Sequence, residues 1–220
     1  MDENARREEE REISEARREI LMHELAHRVK NTLATVQSIA GLSFRDSQGP
    51  EALRGFQERL QALVRSHDLL TRRNWEHADL LEVAEAALAP TREDGAHRIT
   101  LKGPRVDLTS ATVVPMAMIF HELCTNAMKY GALATEHGKI TVEWTASPEP
   151  RGTQIDLLWS ESDGPPVEPP THEGFGSKLI ASLTQQMNGG YEISYPRSGI
   201  VCKLRLIAPH AKSREEDGEA

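Results

Sequence analysis

His121-Glu122-Leu123-Cys124-Thr125-Asn126-Ala127-Met128-Lys129-Tyr130-Gly131 is the stretch on which the fold of this chain turns. It closes a long apolar run and ends on a glycine. Ser110 is placed to cap a helix from about Ala111 to Tyr130, with Pro115 close to its first turn. On that helix Glu122, Asn126 and Lys129 (or Tyr130) share one face at i, i+4, i+7 spacing, while Leu123 and Ala127 turn to the core. A carboxylate, an amide oxygen and an ammonium on one face suit a divalent cation and a polyphosphate. The Asn126 amide offers the metal a hard oxygen, and Lys129 neutralises phosphate charge. Standing alone, the stretch reads more simply as a helix with a solvated polar face.

Two downstream stretches change that reading. Leu157-Leu158-Trp159-Ser160-Glu161-Ser162-Asp163-Gly164-Pro165 is a hydrophobic strand running into two carboxylates and a Gly-Pro break. A carboxylate at a strand end can accept the exocyclic amino hydrogen of adenine. Gly174-Phe175-Gly176-Ser177-Lys178-Leu179-Ile180 opens a helix on two glycines, so backbone N–H groups and the positive helix end can face an anion. The Pro-rich loop 164–173 before it is placed to close over a nucleotide as a lid.

Upstream, Leu25-Ala26-His27-Arg28-Val29-Lys30-Asn31 sits on a second kind of helix. Leu25, Val29, Thr32, Val36, Ile39 and Ser43 form a seam with three-four spacing, and His27 lies two residues off it, towards solvent. Asp46-Ser47-Gln48-Gly49-Pro50 punctuates, and Leu53, Phe56, Leu60, Leu63, His67 and Leu70 then mark a second amphipathic helix. The two read as an antiparallel hairpin. His67, on the apolar stripe, reads as a packed histidine rather than a second acceptor.

The rest of the chain follows from punctuation and period. Residues 1–20 are a Glu/Arg-rich helical connector with i, i+4 pairs, 21–73 the hairpin, 79–208 a second domain, and 209–220 an acidic tail. Residues 71–78 read as the linker. Asp79 is placed to cap a helix over 80–88, and His97 to Lys102 alternates like a strand. Further strands are expected over 139–145, 153–159 and 200–207, a helix over about 176–188, and another strand at Tyr191–Tyr195. Mixed strands with helices on one face predict an α+β sandwich.

Across the 220 residues, 38% are apolar and 27% charged, with net charge −8. That balance argues against a general binder of nucleic acid or of anionic membranes. No run is long enough to span a bilayer, and Cys124 and Cys202 lack the companions of a zinc site or disulfide scaffold. The expected location is cytoplasmic.

The order and spacing of these stretches resemble the Bergerat-type (GHKL) ATP-binding fold of sensor histidine kinases, with Asn126 in the N box and Gly174 and Gly176 in the second glycine box. More narrowly, the chain resembles the HWE family, named for a histidine in the N box and Trp-x-Glu in the first glycine box, here His121 and Trp159-Ser160-Glu161. His27-Arg28-x-Lys30-Asn31 looks like that family's phosphoacceptor box. The resemblance covers residues 20–207. It implies ATP and Mg²⁺ as cofactors and autophosphorylation of His27, followed by transfer to an aspartate of a response regulator receiver domain. By the same resemblance Arg28, Lys30 and Asn31 assist at the acceptor, and Glu122 assists catalysis and, with Asn126, the metal. His121, Lys129, Tyr130, Trp159, Glu161, Asp163, Gly164, Phe175, Ser177, Lys178 and Leu179 join Asn126 and the two glycines around the nucleotide. By resemblance Glu161 replaces the usual adenine-reading Asp. Asp163 stands where the family has glycine, so either carboxylate could read the base. His121 could bond the nucleotide or the hairpin, or simply pack.

Two other readings share these residues: a phosphotransfer protein with a degenerate nucleotide domain, and a GHKL-type ATPase in which Glu122 activates water. The intact Asn126, Lys129 and Gly174-x-Gly176 oppose the first, and the His27 hairpin opposes the second. No stretch reads as a sensor domain, which is expected upstream and absent from this chain. The hairpin seam favours a four-helix-bundle homodimer, whereas a nucleotide domain docked over it would give a monomer.

Overall fold

The structure, a computed structural model, describes residues 29–30, 32–41, 43–44, 49–72, 77–92, 98–170 and 174–209. His27, Arg28 and Asn31 lie outside the described residues, as do the charged connector and the acidic tail.

The first helix, α1, is described at 29–30, 32–41 and 43–44, and α2 (Pro50–Arg72) follows it. Proline suits the first helical position because its fixed φ is already helical and its missing N–H would have had no partner. The expected seam closes only in part. Ile39, Leu63 and Leu70 are buried, but Val29 and Leu53 remain 50% and 48% exposed. Two helices cover only the stretch of each stripe that faces a partner. What covers the middle is the downstream domain, since Ile39, Ala62, Leu63 and Leu70 belong to one continuous core with the helices and sheet that follow. His67 is packed as expected: its Nε2 lies 3.2 Å from Thr32 Oγ1, and burial lowers its pKa.

The segment read as a linker holds the end of α2 and the start of a strand. β1 (His77–Asp79) pairs antiparallel with β3 (Asp107–Thr109), Ala78 opposite Leu108. Three-residue strands are too short to show a period, so neither was legible. α3 (Leu80–Arg92) runs past its expected end at Leu88. Its cap is the expected one: Asp79 Oδ1 accepts the Leu81 N–H at 3.3 Å, and the Val106 N–H at 3.3 Å as well.

A five-stranded sheet has the order β2-β4-β5-β7-β6, from β2 (Ile99–Lys102), β4 (Lys139–Glu149), β5 (Gly152–Ser162), β6 (Gly190–Ser194) and β7 (Val201–Pro209). Among the described strands only β2 and β4 pair in parallel; the chain between them carries α4 (Ser110–Lys129) as the crossover. Alternation puts Val142, Trp159 and Cys202 side by side on one face, with Trp144, Leu157 and Leu204 as the next row. α3, α4 and α5 (Phe175–Gln186) join that face in one core, which is the expected α+β sandwich.

Twelve of the twenty residues of α4 are buried, so it is the inner helix, wedged between the sheet and α2 and α3. That placement explains its apolar composition on nearly all sides. Its start differs from expectation. Thr109, not Ser110, is the capping position, and no side chain bonds the free N–H groups there. The Thr109 hydroxyl lies 3.4 Å from Thr112 Oγ1 instead. β1–β3 pairing holds Thr109 extended, which sets the boundary one residue earlier.

Candidate nucleotide site

Three element ends converge: the second half of α4, the end of β5 and the start of α5. Asn126 is half-buried on α4, with Lys129 and Tyr130 exposed one turn later. Leu123 and Ala127 are buried as expected, but so is Glu122, so the predicted polar face is open at Lys129, half-open at Asn126 and covered at Glu122.

Glu161 ends β5 pointing inward and is 5% exposed. Its Oε2 accepts the Ala132 N–H at 2.7 Å and its Oε1 accepts the Trp159 indole N–H at 3.1 Å. The carboxylate therefore ties the turn after α4 to the sheet. The glycines beside it leave the room this needs: a Cβ on Gly131 would run into Glu161 Oε2, and one on Gly164 would come within 2.6 Å of Ala132 Cα. Burial pushes the Glu161 pKa up, while the Ala132 and Trp159 hydrogen bonds pull it back. Asp163 faces the other way. Its side chain is 57% exposed, and Oδ2 lies 3.4 Å from Lys139 Nζ.

Asp163 also holds a left-handed backbone, φ 58°. Asp tolerates this better than most residues, yet glycine adopts it freely. Asp163→Gly is expected to raise stability by about 0.5–1 kcal/mol, read as a higher urea midpoint at unchanged slope. A lower midpoint would show that the Lys139 pair outweighs the backbone strain.

α5 opens at Gly174, and no side chain caps its first turn. A Cβ on Gly176 would sit 2.9 Å from Glu122 Oε2 and 3.4 Å from Asn126 Nδ2, so any larger residue there would push these two side chains aside. None of the described residues crowds Gly174. The Ser177 carbonyl accepts the Tyr191 hydroxyl at 3.2 Å, Lys178 is half-buried, and Leu179 is buried in the core. Glu122 and Asn126 thus present a carboxylate and an amide at a cradle beside free helix N–H groups. This is an oxygen donor set of the kind Mg²⁺ takes, next to a place for phosphate.

Glu122 is not free, however. Arg59 of α2 donates Nε–H to Oε1 at 2.7 Å and Nη2–H to Oε2 at 3.1 Å. The same guanidinium lies 3.5 Å above the Phe175 ring centre. Sequence reasoning missed Arg59. The available signal was a lone cation flanking the Phe56–Leu60–Leu63 stripe. His121 lies at the same junction. Burial first, then the charges of Arg65, Arg59 and Lys129, lower its pKa to about 4, so the imidazole is neutral near pH 7. Arg65 Nε is buried without a hydrogen-bond partner among the described residues.

The α+β sandwich fold is shared with solved histidine kinase domains. The blue-light activated histidine kinase of Erythrobacter litoralis EL346 superposes with TM-score 0.58 at 20% identity, over 86% of this chain and 59% of that one. Its isolated histidine kinase domain gives 0.52 at 15% identity, over 81% and 94%. Residues 24–105 match the sequence model of the HWE histidine kinase family. The Brucella ovis protein named blue-light-activated histidine kinase is 37% identical over 202 residues, 91% of this chain. The chain spans 41% of that relative's length. No described helix is long and apolar enough to cross a membrane.

Proposed function

We propose that this chain is the kinase core of a two-component signalling protein, which transfers the γ-phosphoryl group of ATP to His27 and then to an aspartate of a response regulator. The observation that carries the reading is the meeting of Asn126, Glu122 and the Gly176 helix start at one cradle. The family match, which spans the His27 segment, supports it. Mg²⁺, when bound, supplies charge neutralisation across the phosphates. Asn126 would hold it through the amide oxygen, with Glu122 as a second donor, and α5 N–H groups with Lys129 would take phosphate oxygens. The transition state is loose, so positioning and charge do most of the work. The domain division at residues 21–73 and 79–208 belongs to this reading, with the hairpin bearing the acceptor and the sandwich bearing ATP. Val29, Leu33, Leu53 and Val64 are exposed on the hairpin and offer a second copy an apolar face.

Incubation with γ-labelled ATP and Mg²⁺ tests the reaction. The chain is expected to take up acid-labile label, and His27→Ala and Asn126→Ala are expected to take up none. Label retained in His27→Ala would overturn the assignment of the acceptor. Label stable to acid would overturn the kinase class.

A further inference from the structure

Helix α2 enters the nucleotide site with one side chain. Arg59 gives each oxygen of Glu122 one N–H, a two-pronged geometry that an ammonium cannot reproduce. Side-chain exposure is 14% for Arg59 and 3% for Glu122, so water competes little for either group. The Phe175 ring closes the other side of the guanidinium at 3.5 Å. One residue of the hairpin therefore joins the metal-facing carboxylate to the first residue of the phosphate-facing helix.

Glu122 Oε2, which Arg59 occupies, is also the atom nearest the Gly176 cradle, with the Asn126 amide beside it. A Mg²⁺ ion drawn there would need a carboxylate oxygen at about 2.0–2.1 Å, with near-ideal octahedral surroundings. A guanidinium engaged with both oxygens blocks that approach and repels the incoming cation in a site shielded from water. Arg59 thus stands where the positive charge of the nucleotide's metal belongs.

We propose that the Arg59–Glu122 pair is a latch, in which the hairpin and a nucleotide-borne divalent cation compete for one carboxylate. Docking of α2 through Arg59 and binding of Mg²⁺·nucleotide at Glu122 exclude one another. By linkage, each weakens the other by the same factor. The latched form is a resting state. Metal-loaded nucleotide breaks the Arg59–Glu122 tie and loosens the contact of α2 with the start of α5, while the apolar contacts of Ala62, Leu63 and Leu70 remain. The inference rests on the proposed reading of Glu122 and Asn126 as metal-facing groups.

The test is equilibrium dialysis of the full chain with a non-hydrolysable ATP analogue, across a Mg²⁺ titration and in EDTA. Arg59→Met keeps the apolar stem over Phe175 and removes the guanidinium. If the latch is closed in about nine molecules of ten, Arg59→Met binds Mg²⁺·analogue about tenfold tighter. Its affinity in EDTA stays unchanged, and Arg59→Met adds nothing on a Glu122→Gln background. In the wild type, Mg²⁺·analogue also speeds amide exchange in α2 around 56–63, and analogue in EDTA does not. Unchanged or weaker Mg²⁺-dependent binding in Arg59→Met, with wild-type binding intact, overturns the latch alone, as does slower exchange in α2. Failure of the wild type to bind analogue under any condition overturns the kinase reading and the latch with it.

Discussion

Glu161→Ala is expected to lower the unfolding free energy by about 2–4 kcal/mol, the larger part of it from two stranded donors. Trp159 Nε1 is buried within the sheet face and the Ala132 N–H is buried in the turn after α4; both donate to Glu161. Neither has another acceptor among the described residues, and a buried donor left unpaired costs about 1–3 kcal/mol. Some of that cost is offset, because the ionised carboxylate is itself disfavoured by burial. The direction of the pKa shift sets the pH dependence. A folded-state pKa above the ordinary 4.5 means that the folded chain holds a proton the unfolded chain has lost. The penalty for ionising Glu161 is therefore absent below about 4.5 and complete once pH passes the raised value, so wild-type stability falls across that window. Glu161→Gln keeps one acceptor and should lose less than Glu161→Ala. Urea midpoints with their slopes measure both variants. An alanine variant as stable as the wild type would show that the turn after α4 does not depend on this carboxylate.

His121 should govern the acid limb of stability. Its folded pKa of about 4 lies below the ordinary 6.5, so between those values the unfolded chain binds a proton that the folded chain refuses. Stability is therefore full above about 6.5 and is lost as pH falls towards 4. The span corresponds to an upper bound of about 3 kcal/mol, at 1.36 kcal/mol per unit. The physical cause is burial beside Arg65, Arg59 and Lys129, three cations that oppose a fourth. His121→Gln is expected to flatten this limb, so that the variant overtakes the wild type below about pH 5. Urea titrations of both proteins from pH 7 to 4.5 decide it. A wild-type-minus-variant difference that stays constant with pH would assign the acid limb to other groups.

Much of the architecture was readable residue by residue. The three-four stripes of α1 and α2, the polar face of Glu122, Asn126 and Lys129, and the alternation of β4, β5 and β7 all lie within single elements. Burial on one side of a helix or strand imprints its period directly on the sequence. Asp79 as the cap of α3 is equally local, since it accepts a backbone N–H two residues on, and so is the glycine at which α5 opens.

What the tertiary structure alone decided are the partners of those residues. Glu122 was legible as a carboxylate on a polar face; that Arg59, 63 residues upstream, occupies both its oxygens was not. Glu161 was legible at a strand end, but its inward aim at Ala132, 29 residues away, depends on the glycines that let β5 and the end of α4 close together. The β1–β3 pair and the Thr109 boundary of α4 likewise follow from chain segments meeting in space. Local composition determines which face of an element is apolar. Hydrogen bonds and ion pairs across elements depend on how those faces stack, and that free energy is shared over the whole core rather than written at either partner.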